Sequence, residues 1–182
     1  MLDMLQKSST FRTAEIFFVN PTKEHYLMDI SRSIGLAHTS VKKSLNGLVK
    51  SGLITESVEK KGRRKFPLYK ANIGSKRFRR HKLIYNISSI LESGIIDFIE
   101  EKLMPKSAVL FGSYRNGEDT ESSDIDLFVE CKKEELDIKA FEKKLKRKIE
   151  LHFKENFALY PKELKNNIIN GIVLSGFLEG YK

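Results

Sequence analysis

Apolar residues recur at helical spacing through Thr10–Val19, where Phe11, Ala14, Phe17 and Phe18 mark one face and Asn20-Pro21 ends the run. A second helix is expected from about His25 to Ile34, with Leu27, Ile30 and Ile34 on one side and Gly35 as its stop. A third opens on the hydroxyl residues of AHTSVKKSLNGLVKSGLI, turns Val41, Leu45, Leu48 and Val49 inward, and closes at Ser51-Gly52. The period then changes to two. Leu53–Val58 and Phe66–Tyr69 flank the polar stretch Glu59–Lys65, which predicts a hairpin with KKGRRK at its tip, and Pro67 is expected to confine the second strand to an edge. Apolar positions from Leu83 to Leu103 suit one long helix or two, with Gly94 as the weak joint and Pro105 as the stop.

Beyond Pro105 two short apolar runs predict strands, Val109–Phe111 and Ile125–Val129, separated by the polar loop Gly112–Ser123. Alternation puts Ile125, Leu127 and Val129 on one side and Asp124, Asp126 and Phe128 on the other. Two carboxylates two residues apart on one strand face stand about 7 Å apart at the backbone, close enough for their side chains to converge on one cation. Left alone they would repel each other and raise each other's pKa, so the pair implies a neutralising ion. Magnesium fits, because it takes oxygen ligands from one or two carboxylates and fills its other positions with water and phosphate. Gly112-Ser113, where the first strand ends, allows close backbone approach to a phosphate and adds a hydroxyl donor.

The 182 residues carry a net charge of +9, and its distribution is uneven. Residues 1–82 hold 18 Lys/Arg and 6 Asp/Glu, whereas residues 83–182 hold 15 and 18. From Lys60 to Lys82 there are eleven basic residues and no acidic one, which points to a phosphate-binding surface. FEKKLKRKIE is also basic but alternates sign, and reads as a solvated helix surface. No apolar run approaches the roughly 18 residues of a membrane span, and the N-terminus lacks the order of a secretory signal, so a cytoplasmic protein with no membrane partner is expected. Cys131 stands alone and reads as a small strand-end hydrophobe. His25, His38, His81 and His152 show no metal-ligand spacing and read as surface or core histidines.

Two resemblances follow from these residues. SVKKSLNGLVKSGLI with the basic hairpin resembles the recognition helix and wing of winged helix-turn-helix regulators over about residues 8–73. That resemblance implies DNA contacts from His38, Ser40, Lys42, Lys43 and Asn46 on the helix and from Lys60, Lys61, Arg63, Arg64 and Lys65 on the wing. Such domains commonly dimerise on two half-sites, so a homodimer is a further expectation. An RNA-binding reading, with Phe66, Tyr69 and Phe78 stacking on bases, competes with a core role for the same rings. The second resemblance is carried by G112-S113, ten intervening residues and D124-I125-D126 within LFGSY…SDIDLFVE. It resembles the minimal nucleotidyltransferases of the DNA polymerase beta-like superfamily, over about residues 84–182, with LKNNIINGIVLSGFLEG similar to the family's closing helix.

The implied architecture is α+β: a winged helix domain over 1–73, a linking helical segment over 74–104 and a small nucleotidyltransferase domain over 105–182 with a mixed sheet flanked by helices. The implied reaction is transfer of a nucleoside monophosphate, AMP from ATP first among them, to an acceptor hydroxyl with two Mg²⁺ ions. Asp124, Asp126 and Glu150 would be catalytic and metal-binding, and Gly112, Ser113 and Arg115 would hold the nucleotide. Two departures stand out. The third carboxylate is more often Asp in the family than Glu, and relatives often have Arg or Lys immediately before the loop glycine, where this chain has Asn116 with Arg115 one step earlier. The alternative is a transcriptional regulator, or an antitoxin-like protein with a protein acceptor, whose nucleotidyltransferase half senses nucleotide or binds a partner.

Overall fold

Ser8 begins the first helix by accepting the Phe11 N–H on its hydroxyl at 3.1 Å, and from there the chain folds into two units, Met1–Tyr85 and Asn86–Lys182. The computed structural model describes residues 8–157 and 160–179. Among these, no helix is long and apolar enough to cross a membrane.

The first unit contains α1 (Ser9–Val19), β1 (Glu24–Tyr26), α2 (Leu27–Ile34), α3 (His38–Lys50), β2 (Ile54–Lys61) and β3 (Arg64–Ala71). The second helix therefore starts later than its apolar spacing suggests. Glu24–Tyr26 pairs antiparallel with β3, His25 opposite Tyr69, and the His25 ring packs edge-on against Phe17 at 5.4 Å. Gly35 ends α2 in the left-handed region. Phe17, Ile30, Val41, Leu45, Tyr69 and Phe78 form the core. With Tyr69 and Phe78 2% and 1% exposed, neither ring is available to stack on a base.

The hairpin is longer than expected. Its strands run in register to Lys61 opposite Arg64, leaving a two-residue turn in which Gly62 has φ +61°. The sheet order β1-β3-β2 makes β3 the middle strand, which corrects the expectation that Pro67 marks an edge. The physical rule survives locally: β1 pairs only with Leu68, Tyr69 and Lys70, so Pro67 faces Val58 on β2 and has no ladder partner on its other side.

Helix α4 (Lys76–Ser93) contains the division between the units, and α5 (Ile95–Leu103) follows Gly94, whose φ of +85° breaks the helical path. Inside the first unit the Lys82 ammonium, 1% exposed, donates to the Phe18 carbonyl at 2.7 Å.

The second unit is a four-stranded mixed sheet in the order β6-β5-β4-β7. Strand β4 (Ser107–Phe111) is antiparallel to β5 (Ile125–Val129) and to β7 (Ile172–Gly176), while β5 is parallel to β6 (Ile149–Phe153). Between them come α6 (Gly112–Asn116), α7 (Lys139–Leu145) and α8 (Lys162–Ile169). Alternation sorts the sheet's faces. Leu110, Ile125, Leu127, Val129 and Ile149 meet Ile90, Ile95 and Ile99 on one side, and Val109, Phe111 and Phe128 meet Phe157 and Ile168 on the other. The segment expected as a closing helix is half strand. Helix α8 ends at Ile169, and Gly171, whose missing Cβ would stand 2.6 Å from the Leu110 carbonyl, lets the chain turn onto the open edge of β4 as β7. Gly180, the last residue of that motif, lies outside the described residues.

Candidate active site

The register of three strands builds the site. Phe111 at the end of β4 faces Asp126 on β5, and Asp126 faces Glu150 on β6. His152, two residues after Glu150 on the same strand, shares its face. Asp126, Glu150 and His152 each offer a ligand atom within 4.8 Å of the others. His152 Nε2 lies 3.4 Å from Asp126 Oδ1, and its ring packs edge-on against Phe111 at 5.1 Å. No metal-ligand spacing among histidines betrays His152. The signal lies in its i, i+2 relation to Glu150 on a strand beside the Asp-x-Asp strand.

The electrostatics fit a site short of positive charge. Burial raises the Asp126 pKa, His152 pulls it down, and the charges of Glu150 and Asp124 push it up again. Asp124 stands exposed just ahead of β5 and outside the trio of converging ligand atoms, yet near enough for its charge to act on Asp126. Tyr160 packs edge-on against Phe128 at 5.4 Å, and its phenol is pushed up first by burial and then by Glu150, which puts Tyr160 on the rim. The two carboxylates, with Asp124 alongside, offer oxygen ligands that suit a hard divalent cation, and His152 adds an imidazole nitrogen of the kind transition metals take.

Gly112 opens α6 at φ +74°, directly over Asp126. Gly112, Ser113 and Arg115 line a cavity of about 370 Å³ together with Glu118, Asn167 of α8 and Asn170, the residue that caps it. Arg115 donates to its neighbour Asn116 Oδ1 at 2.9 Å, and its Nε is a buried donor with no hydrogen-bond partner. Asn86 fixes the loop from behind by donating to the Tyr114 carbonyl and to Asp119 Oδ1, both at 2.8 Å. A second cavity of about 660 Å³ has Asp124 at its edge and basic residues of the segment 139–148 along its wall. The segment read as plain solvated surface is thus one side of a cleft.

In the first unit, His38, Lys42, Lys43 and Asn46 project from α3 into solvent and Ser40 is half-buried. Lys60, Arg63, Arg64 and Lys65 are exposed at the hairpin tip. Lys61 differs from them. Its ammonium bonds Tyr26 Oη at 2.8 Å, pairs with Glu59 at 3.1 Å and lies over the Tyr26 ring. Tyr26 also donates to Glu59, and this bond, ahead of Lys61, lowers the Glu59 pKa.

Residues 92–174 match the family model of the nucleotidyltransferase domain, a span that takes in Gly112, Ser113, Asp124, Asp126 and Glu150. Among solved structures, the chain is similar to a "possible transcriptional regulator" from Methanosarcina mazei Go1, at 18% identity and a TM-score of 0.37, over 55% of this chain and 86% of that one. No curated protein matches the chain.

Proposed function

We propose that the second unit transfers a nucleoside monophosphate, AMP in the first instance, from a nucleoside triphosphate to an acceptor hydroxyl, and that the first unit is a winged helix that binds DNA. The observation that carries the enzymatic reading is the convergence of Asp126, Glu150 and His152 beneath the Gly112-Ser113 turn. Magnesium held by Asp126 and Glu150, with Asp124 alongside, would supply neutralisation of phosphate charge and a more acidic acceptor hydroxyl.

The residues themselves do the rest. Gly112 and Ser113 present a backbone without obstruction and a hydroxyl to phosphate oxygens, and the buried Arg115 Nε beside the same cavity is a donor for the triphosphate. The acceptor oxygen forms a bond to the α-phosphorus as the bond to the β-bridging oxygen breaks. Pyrophosphate leaves with that electron pair, and the hydroxyl proton passes to Glu150, the exposed one of the trio's two carboxylates. His152 steadies the Asp126 carboxylate through the 3.4 Å contact. The catalysis is positioning and charge compensation.

The test is incubation of the full chain with α-labelled ATP and Mg²⁺ over a panel of acceptors, with Asp126→Ala as control. Mg²⁺-dependent transfer that the substitution abolishes is expected. Absence of metal-dependent nucleotide binding by calorimetry would remove the reading.

The order of helix, short strand, two helices and hairpin supports the winged helix reading, with α3 as the recognition helix. The hairpin adds a physical argument. Lys60 faces Lys65 directly across the ladder. Like charges in that position destabilise a sheet, and a polyanion relieves them.

A further inference from the structure

We infer that His152 is a metal ligand, and that Asp126, Glu150 and His152 together hold a divalent first-row transition-metal ion in preference to Mg²⁺. The inference rests on the nucleotidyltransferase reading for what lies beside the ion, and it changes the metal at one of the two cation positions while leaving the transfer as proposed.

The His152 ring sits away from the place that its own strand gives it. Strand β5 separates β6 from β4, so residues on those two strands start about 10 Å apart. Yet the ring meets Phe111 of β4 with 5.1 Å between centroids. It therefore leans across β5, and the β5 side chain that it meets is Asp126, whose Oδ1 lies 3.4 Å from Nε2. Glu150, opposite Asp126 in the ladder and two residues before His152, brings the third ligand atom. All three stand within 4.8 Å of one another.

Distance bears on the chemistry. A charge-assisted hydrogen bond from imidazole to carboxylate runs about 2.7–2.9 Å, and 3.4 Å is long for one. Two ligands on one ion, each with a bond of about 2.0–2.2 Å, stand roughly 3–3.5 Å apart, a separation that this pair already has. The side chains are 21% and 25% exposed, which leaves an ion a path from solvent, while Phe111, 4% exposed, closes the side away from it.

The nitrogen selects the ion. Mg²⁺ takes oxygen ligands and keeps its waters, so Asp126, Glu150 and Asp124 would serve it without His152. Imidazole instead favours transition ions, with affinity rising from Mn²⁺ to Co²⁺. Asp124, outside the converging group, is left for the Mg²⁺ that accompanies the triphosphate.

The test uses the full chain without nucleotide. Calorimetric titrations with Mg²⁺, Mn²⁺ and Co²⁺ should show affinity rising in that order. In His152→Gln the affinity for Mg²⁺ should hold within about twofold, whereas the advantage of Co²⁺ over Mg²⁺ should shrink at least about tenfold. His81→Gln, in the first unit, should behave as wild type. Pulsed electron paramagnetic resonance of the Mn²⁺-loaded wild type reads the ligand directly and is independent of whether the variant folds: coupling to an imidazole nitrogen is expected, and it should vanish in His152→Gln. Oxygen-only coordination in the wild type, nitrogen coupling that persists in His152→Gln, or the same spread of affinities in both proteins overturns the inference. Mg²⁺-dependent transfer from ATP would then still uphold the nucleotidyltransferase reading. Nitrogen-ligated Mn²⁺ in a chain that transfers no nucleotide upholds the inference and removes that reading instead.

Discussion

A Cβ placed on Gly112 would stand 2.2 Å from Asp126 Oδ2, so the turn that begins α6 and the carboxylate on β5 fit together only because residue 112 has no side chain. The nearest atom belongs to a carboxylate that can rotate, so Gly112→Ala is expected to displace Asp126 more than it harms the fold. Turnover should fall at least about a hundredfold. The positive φ adds roughly 1 kcal/mol of strain, visible in chemical denaturation. In an Asp126→Ala background the clash disappears and only the strain remains, so the two substitutions should be non-additive in a double-mutant cycle. Additive stability changes would show that the two residues do not interact.

The Gly-Ser turn and the Asp-x-Asp strand are legible in the sequence because each is local: a glycine at a strand end, and two carboxylates at period two. Glu150 is readable only through resemblance, because its place opposite Asp126 depends on a parallel pairing between segments over twenty residues apart. His152 escapes notice for the same reason. Its role comes from register. The short β1 is hidden because Glu24, His25 and Tyr26 have no alternation of their own and run straight into the helical spacing that starts at Leu27, and pairing with β3 decides the matter. Pro67 misleads because edge and centre are properties of one residue's neighbourhood, and β1 stops short of it.

Asp126 carries a cost in the metal-free protein, since burial and the charges of Glu150 and Asp124 all favour its neutral form. Asp126→Asn removes the charge at nearly constant shape. We expect it to stabilise the metal-free fold by about 0.5–2 kcal/mol while abolishing transfer, the trade seen where a site is built for function. Adding Mg²⁺ should raise the melting temperature of the wild type and leave that of the variant unchanged. A variant less stable than wild type without metal would refute this account of the site's electrostatics.

Tyr69 gives the first unit a sensitivity to alkali. Its phenol is buried and donates to Glu56 Oε1 at 3.1 Å, and burial, followed by Glu56, pushes its pKa up to about 12. The native state therefore keeps a proton that the unfolded chain releases near the ordinary value of about 10. Between those values the unfolded state binds fewer protons, so stability must fall as pH rises. Urea midpoints measured across this window should decline, and Tyr69→Phe should flatten the decline relative to wild type. Equal slopes in the two proteins would mean that Tyr69 titrates normally.

The β2–β3 hairpin separates two kinds of basic residue that look alike in sequence. Lys60 and Lys65 oppose each other across the ladder with exposed ammonium groups, whereas Lys61 is tied to Tyr26 and Glu59. Lys60→Glu should relieve the repulsion and stabilise the free protein by a few tenths of a kcal/mol. It should weaken binding to duplex DNA and reduce the slope of log K against log salt by about 0.9 for each phosphate that the side chain no longer neutralises. Lys61→Ala should do the opposite: little change in the salt slope, but a less stable hairpin. The Tyr26–Glu59–Lys61 arrangement holds β1 against the hairpin, and the hydrogen bond that Lys61 donates to Tyr26 is the first cause of the raised Lys61 pKa. Anisotropy titrations at several salt concentrations, paired with denaturation curves, decide between these roles. Indistinguishable salt slopes for the two variants would show that both lysines face the DNA.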